Sequence, residues 1–177
     1  MTLTQLGHPV LRRKAKPVRR VGDRQLQTLI KKMMQDMRRA RGVGIAAPQV
    51  GKSLRLFIVA SRPNPRYPSA PNMKPLAMIN PRLLAHSRTT HTAWEGCLSI
   101  PGIRGQVPRY NKIQIQYISE SGKVEKMTLT GFVARIFQHE LDHINGTVFL
   151  DRVQETRTLV TEKEYRKLIK TKSYSRR

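Results

Sequence analysis

The sequence is short of three things. It holds one cysteine, Cys97, in 177 residues; aromatic side chains make up 6% of it; and 11 carboxylates stand against 34 lysines and arginines. A lone cysteine excludes an intramolecular disulfide and any paired-cysteine zinc module, and it fits a reducing cytosol. Sparse aromatics, not interleaved with the basic residues, argue against a surface built to stack nucleic-acid bases. No apolar run approaches the ~20 residues of a membrane span. The basic N-terminus (MTLTQLGHPVLRRKAKPVRR) lacks the apolar core of a signal peptide and reads as structured chain. The length suits one domain with a proper core, so residues 1–177, basic arm and C-terminal helix included, are expected to form a single domain.

Positive charge is what the chain has in excess. The formal net charge is +23, and it is uneven: residues 1–41 hold twelve lysines and arginines against Asp23 and Asp36, and residues 157–177 hold eight against Glu162 and Glu164. Solubility needs a net charge of only about 2–8. The excess predicts an anionic partner, RNA or a ribosome surface, met through the basic termini.

Along the chain, residues 1–22 read as an irregular arm, since Pro9 and Pro17 break any helix. Asp23 can cap a helix running to about Arg41, with Leu26, Leu29, Ile30, Met33, Met34 and Met37 as its apolar face. Residues 42–51 (GVGIAAPQVG) are mostly small, which permits close backbone approach, and Gln49 offers one carboxamide in an apolar setting. Gly51-Lys52-Ser53 lacks the upstream glycine that a phosphate loop requires. Leu54–Ala60 reads as a strand, residues 61–75 with their five prolines as an exposed semi-rigid loop, and Ala77–Asn80 as a short strand. Trp94–Gly102 places Cys97 in a Gly/Pro-bounded loop or strand end. Ile113–Ile118 and Val124–Leu129 alternate about a Ser121-Gly122 turn, which is a hairpin. The short apolar segment Val148–Leu150 precedes a last helix from about Glu155, with Leu159, Tyr165, Leu168 and Ile169 as contacts. His8, His86 and His91 sit in polar surroundings and read as surface residues.

Chemistry concentrates in Gln138-His139-Glu140-Leu141-Asp142-His143. Residues 131–144 predict a buried helix, capped by Thr130 and stopped by Asn145-Gly146, with Phe132, Ile136, His139 and His143 in one stripe. Two histidines four apart stand one turn apart on the same face, so their imidazoles can converge on one metal ion. The glutamate between them can handle a proton beside it, the pattern of metal-assisted amide hydrolysis. Two satisfied core histidines are the ordinary alternative, but three polar groups on an apolar helix are costly to bury without a purpose.

Two histidines hold a metal weakly, so a third ligand is needed. A third histidine at the metzincin spacing is absent, because that position is Phe149. A carboxylate about twenty residues downstream would be Glu162 or Glu164, both equally readable as charge pairs with Lys163, Arg166 and Lys167. Cys97 can serve as a thiolate, although a lone cysteine is often just a small buried hydrophobe.

Residues 42–49 (GVGIAAPQ), Glu95-Gly96-Cys97-Leu98-Ser99 and Gln138–His143, taken together and in this order, resemble the three signature motifs of the peptide deformylase family. The likeness runs from Gly7 to about Arg152; His8 stands where aspartate is frequent and Ile144 where leucine is usual, neither in the ligand set. The resemblance implies Cys97 as the third ligand. It implies an α+β fold in which antiparallel sheets pack around a central metal-binding helix, with an N-terminal and a C-terminal helix. The activity it implies is removal of the N-formyl group from the formyl-methionine of newly synthesised proteins, releasing formate.

On the same footing, Glu140 takes a proton from water, while the Gln49 carboxamide and the Leu98 backbone N–H face the developing oxyanion. Val43, Gly44, Phe132 and Ile136 would border an apolar pocket for the methionine side chain, and Arg104 would contact the peptide near its exit. Glu95 and Arg109 could pair as a brace behind the cysteine loop. Iron(II) is the metal so implied in cells, though a Cys/His/His set also takes zinc, nickel or cobalt. The expected partner is the nascent formyl-methionyl polypeptide, met by a monomer in a bacterial-type cytoplasm.

Overall fold

Asp23 starts the first helix: its carboxylate accepts from the Gln25 N–H at 2.7 Å, and α1 runs Arg24–Arg39. The computed structural model describes residues 3–63, 67 and 69–174, with side chains in the last helix described to residue 169. The side chains of Lys170, Lys172, Arg176 and Arg177 from the basic C-terminus lie outside this set, as do Pro65 and Pro68 of the proline-rich loop.

After α1 the chain forms β1 (Gly44–Ala46), β2 (Leu56–Ser61), β3 (Met73–His86), β4 (Thr90–Cys97), β5 (Ile100–Tyr110), β6 (Lys112–Ile118) and β7 (Val124–Thr130). Then come α2 (Gly131–Ile144), β8 (Val160–Thr161) and α3 (Glu162–Tyr174). One antiparallel sheet has the order β1-β2-β3-β6-β7; the other has β4-β5-β8. This is the expected α+β arrangement.

The run Leu56–Ala60 is apolar throughout because helices cover both faces of β2. Phe57 and Val59 join the cluster under α2, which includes Ala134, Ile136, Phe137 and Ile144. Leu56, Ile58 and Ala60 join Leu26, Ile30, Met33 and Met37 of α1. Side chains of period two thus divide between two cores, and a one-residue slip would exchange them. Phe57 meets Phe137 edge-on, with centroids 5.2 Å apart.

Several expectations need correction. The loop is shorter than 61–75, and Ala77–Asn80 is only part of a 14-residue strand. Pro81 hid it: the register shifts between Ile79 and Arg82, and such a bulge tolerates a residue with no N–H for the ladder. Cys97, expected in a loop or at a strand end, closes strand β4; β4 and the long β5, for which no strand was expected, are supported by pairing with each other rather than by local alternation. The last helix begins at Glu162 rather than near Glu155; a 3-10 turn (Thr156–Thr158) precedes it, and Val160 pairs with Arg104 in the second sheet. The N-terminal arm is irregular but anchored. Leu11 and Ala15 are buried, and Asn80 Oδ1 accepts from the Val18 N–H at 2.9 Å while its Nδ2 donates to the Val18 carbonyl at 2.8 Å.

Candidate active site

Helix α2 carries the site. Thr130 occupies its N-cap position without a side-chain cap bond, and the chain leaves through Gly146 at φ +80. A Cβ there would lie 2.8 Å from the Arg12 carbonyl oxygen, so glycine is required by both conformation and space. One turn apart, the His139 and His143 rings lie 5.1 Å centroid to centroid. Cys97 ends β4 and brings its sulfur to them: the ligand atoms of Cys97, His139 and His143 all lie within 4.8 Å of one another, and Sγ is 3.2 Å from His143 Nε2. A tetrahedral site with sulfur and nitrogen ligands separates such atoms by about 3.5 Å, so this donor set fits a metal ion.

The surroundings prepare each ligand. His139 Nδ1 donates to Glu95 Oε2 at 2.9 Å, which leaves Nε2 for the ion. Arg109 grips Glu95 through two bonds of 2.9 and 3.0 Å, and Arg135 adds a third at 2.7 Å. Arg109 also reaches Asp142 at 2.6 Å, and Arg152 binds the same carboxylate at 2.8 Å. Glu95, Arg109, Arg135 and Asp142 are all buried, and every charge among them has a partner, as burial demands. Burial alone would raise the Glu95 pKa; Arg109 and His139 outweigh it and hold the carboxyl well below the usual range.

The thiol side is built from the two loop motifs. Burial pushes the Cys97 thiol up, but the two imidazoles outweigh it and favour the thiolate. The Ser99 N–H and Gln49 Nε2 each point at the sulfur from 3.4 Å. Gln49 is held by the Ala46 N–H, which donates to its Oε1 at 2.7 Å, and its Nε2 also reaches Ser99 Oγ at 3.3 Å.

Glu140 shares the buried site, and its Oε2 has no hydrogen-bond partner. Desolvation raises its pKa to about 7, with the imidazoles pulling the other way. The small residues of 42–49 now have a reason. A Cβ on Gly44 would stand 2.3 Å from Glu140 Oε1, so only glycine lets that backbone pass the carboxylate. The adjoining cavity is bordered by Val43, Gly44, Gln49, Leu98, Phe132 and Ile136, with Cys97, His139 and Glu140 at its polar end.

Not every expected residue falls there. Arg104, expected near the peptide's exit, is completely buried and is not among the residues that border the cavity. It packs behind Gly96, where a Cβ would meet its Cδ at 2.8 Å, and donates to Glu162 at 2.6 Å and to the Tyr67 hydroxyl at 3.2 Å. Glu162 is thereby committed to Arg104, and Glu164 pairs with Lys167 at 2.9 Å. Neither belongs to the donor group found among the described residues, which removes the downstream-carboxylate alternative. His86 and His91 are exposed, as expected, and His8 caps a 3-10 turn on the surface by accepting from the Val10 N–H.

Sequence reading missed Ser99, Arg135 and Asp142. Arg135 did leave a signal, being a charge four residues before His139 in the apolar first half of the helix; Ser99 and Asp142 stood inside the motifs with no role assigned to them.

The comparisons with known proteins agree with this geometry. Residues 1–158 match the sequence profile described as Polypeptide deformylase. Peptide deformylase 2 of Nostoc sp. is 53% identical over 169 residues, covering 96% of this chain and 94% of that protein. Peptide deformylase 2 of Shewanella oneidensis is 45% identical over 154 residues, covering 87% of this chain and 84% of that one. Among solved structures, a Met-Ala-Ser-bound class I type b peptide deformylase from Acinetobacter baumannii superposes with a TM-score of 0.83 at 43% identity, over 85% of this chain and 96% of that one. With a thiolate and two imidazoles convergent on one point, and relatives aligned along nearly its whole length, the chain belongs to the peptide deformylase family, metal-dependent hydrolases that remove the N-formyl group from nascent peptides.

Proposed function

We propose that Glu140 moves the proton in this hydrolysis, with Cys97, His139 and His143 holding one divalent cation, iron(II) in cells. The observation that carries this reading is the buried, unpartnered Oε2 of Glu140 on the helix that bears both histidines. A cation held there supplies Lewis acidity towards a carbonyl oxygen and lowers the pKa of a water molecule towards about 7. Glu140 accepts a proton from the attacking water at Oε2 and returns it to the methionyl nitrogen as the C–N bond breaks, giving formate and a free amine. Gln49 Nε2 and the Leu98 N–H donate to the formyl oxygen as it gains charge. Val43, Gly44, Phe132 and Ile136 receive the methionine side chain.

Residues 1–177 act as one catalytic domain and as a monomer, in the cytoplasm, where the basic ends hold the enzyme at the ribosome. None of the described helices is long and apolar enough to cross a membrane.

The test is formate release from a formyl-methionyl tripeptide by anaerobically purified protein. Release should stop with chelator and return with iron(II) or nickel(II). No release from protein holding one metal ion per chain would point to a different amide substrate. Loss of ribosome co-sedimentation as salt rises is expected; no co-sedimentation at low salt would end the docking reading.

A further inference from the structure

We infer that the solvent face of α1 is a track for the phosphate backbone of RNA, leading to the mouth of the catalytic cavity. Five cations line it: Arg24, Lys31, Lys32, Arg38 and Arg39, all exposed and in no ion pair among the described residues. At about 100° per residue they fall within an arc of about 120°, and at about 1.5 Å per residue they extend over about 22 Å. Thr28 and Gln35, between them on the same arc, are exposed and uncharged. The helix's one carboxylate, Asp36, is buried away from that face.

Among the described residues none pairs with these cations. The opposite face of α1 fixes the helix through Leu26, Ile30, Met33 and Met37. Like charges along one face repel in the free protein, and a row of phosphates removes that repulsion while releasing its counterions. The face carries no aromatic side chain, so it can grip a backbone but cannot stack bases; binding is therefore indifferent to sequence. It also carries no exposed apolar residue, so a protein helix would find no anchor on it.

Direction gives the track its use. At its far end lie Arg19 and Arg20 of the arm, which border one groove together with Arg24 and Lys32. At its near end the chain turns at Arg41 and enters Gly42-Val43-Gly44, which border the catalytic cavity. RNA lying along α1 thus ends beside the cavity that receives the nascent peptide. The described part of α3 offers no such row: Arg166 pairs with Glu162 at 3.3 Å and Lys167 with Glu164 at 2.9 Å. This assignment rests on the ribosome-side reading above and places its contact surface on α1 and the arm.

The experiment titrates full-length protein into three labelled probes: an oligouridylate, an RNA duplex and an acidic amphipathic peptide. Fluorescence anisotropy is followed at several salt concentrations. The α1 variant Lys31→Glu/Lys32→Glu/Arg38→Glu is compared with a control of equal charge change on the β6–β7 hairpin, Lys112→Glu/Lys123→Glu/Lys126→Glu. The α1 variant should lose RNA affinity by more than about 10-fold, and the control by less than about 3-fold. The slope of log Kd against log salt for the oligouridylate should fall by about 2 in the α1 variant, at about 0.7 per lost phosphate contact. Formate release should be unchanged in both, and because RNA binding is read without turnover or ribosomes, failure of either of those assays is separable from failure here. If circular dichroism shows the charge-reversed helix unfolded, the neutral variant Lys31→Gln/Lys32→Gln/Arg38→Gln carries the same expectation. Equal RNA losses in hairpin and α1 variants would reduce the effect to overall charge and overturn the assignment. Tighter binding of the acidic peptide than of RNA, lost in the α1 variant, would overturn it in favour of the groove between the arm and α1, whose floor includes Val18, Leu29 and Leu54.

Discussion

Helices α1 and α2 cover opposite faces of the same strand and treat charge in opposite ways. On α2, Arg135, Glu140, Asp142 and His143 are buried. Arg135 and Asp142 are tied into one ion network that reaches Glu95 and, through it, His139. On α1 the cations stand in water on one face and, among the described residues, make no pairs there. The difference is set by solvent. Water screens an exposed cation at little cost, whereas a buried one needs a partner or must lose its charge. Against that network, the Oε2 of Glu140, buried beside both histidines without a hydrogen-bond partner, marks the chemistry.

The contrast can be broken experimentally. The largest effect is expected at Glu140. Glu140→Ala should lower formate release by about 10²–10⁴-fold while the protein keeps its metal, and Lys31→Ala should leave both unchanged. Turnover retained in the first variant would remove the proton role. Next, Arg109→Met leaves two buried carboxylates short of their shared cation, so urea unfolding should show a loss of about 3–5 kcal/mol. Arg38→Met, on the exposed face, should change stability by no more than about 0.5 kcal/mol; similar losses in both would abolish the distinction between the two helices.

Smaller effects sharpen it. Glu95→Gln keeps the shape of the brace but weakens its hold on the His139 ring, and competition with a chelator should show about 10–100-fold weaker metal binding. Because the Glu95 pKa is depressed in the fold, its contribution to stability is present above the unfolded value of about 4.3 and is lost as pH falls towards the folded value. Acidification from about pH 6 to about pH 3 should therefore destabilise the wild type more than Glu95→Gln. An equal drop would mean that other carboxylates govern acid unfolding.

Local signals gave much of this architecture. α1 was legible from its apolar period and Asp23, the β6–β7 hairpin from alternation about Ser121-Gly122, and α2 from its stripe and glycine stop. The two histidine donors were legible as well, because one-turn spacing is a property of a single helix. What failed were elements whose support is distant. β4 and β5 hold one another in place, and the start of α3 is set by the pairing of Val160–Thr161 with Ile103–Arg104.

The sequence by itself determined the two imidazoles on one helical face, the apolar and basic faces of α1, and three motifs that identify a family. It could not choose between Cys97 and Glu162 as a ligand on residue chemistry alone, since both are donors far from α2 along the chain. Tertiary structure decided that: β4 ends with Cys97 at the histidines, while Glu162 is committed to Arg104. It also buried Arg104 and paired it with Glu162, a partner 58 residues away along the chain. Periodicity is written in neighbouring residues, but a buried charge takes its partner from whatever segment the fold brings beside it.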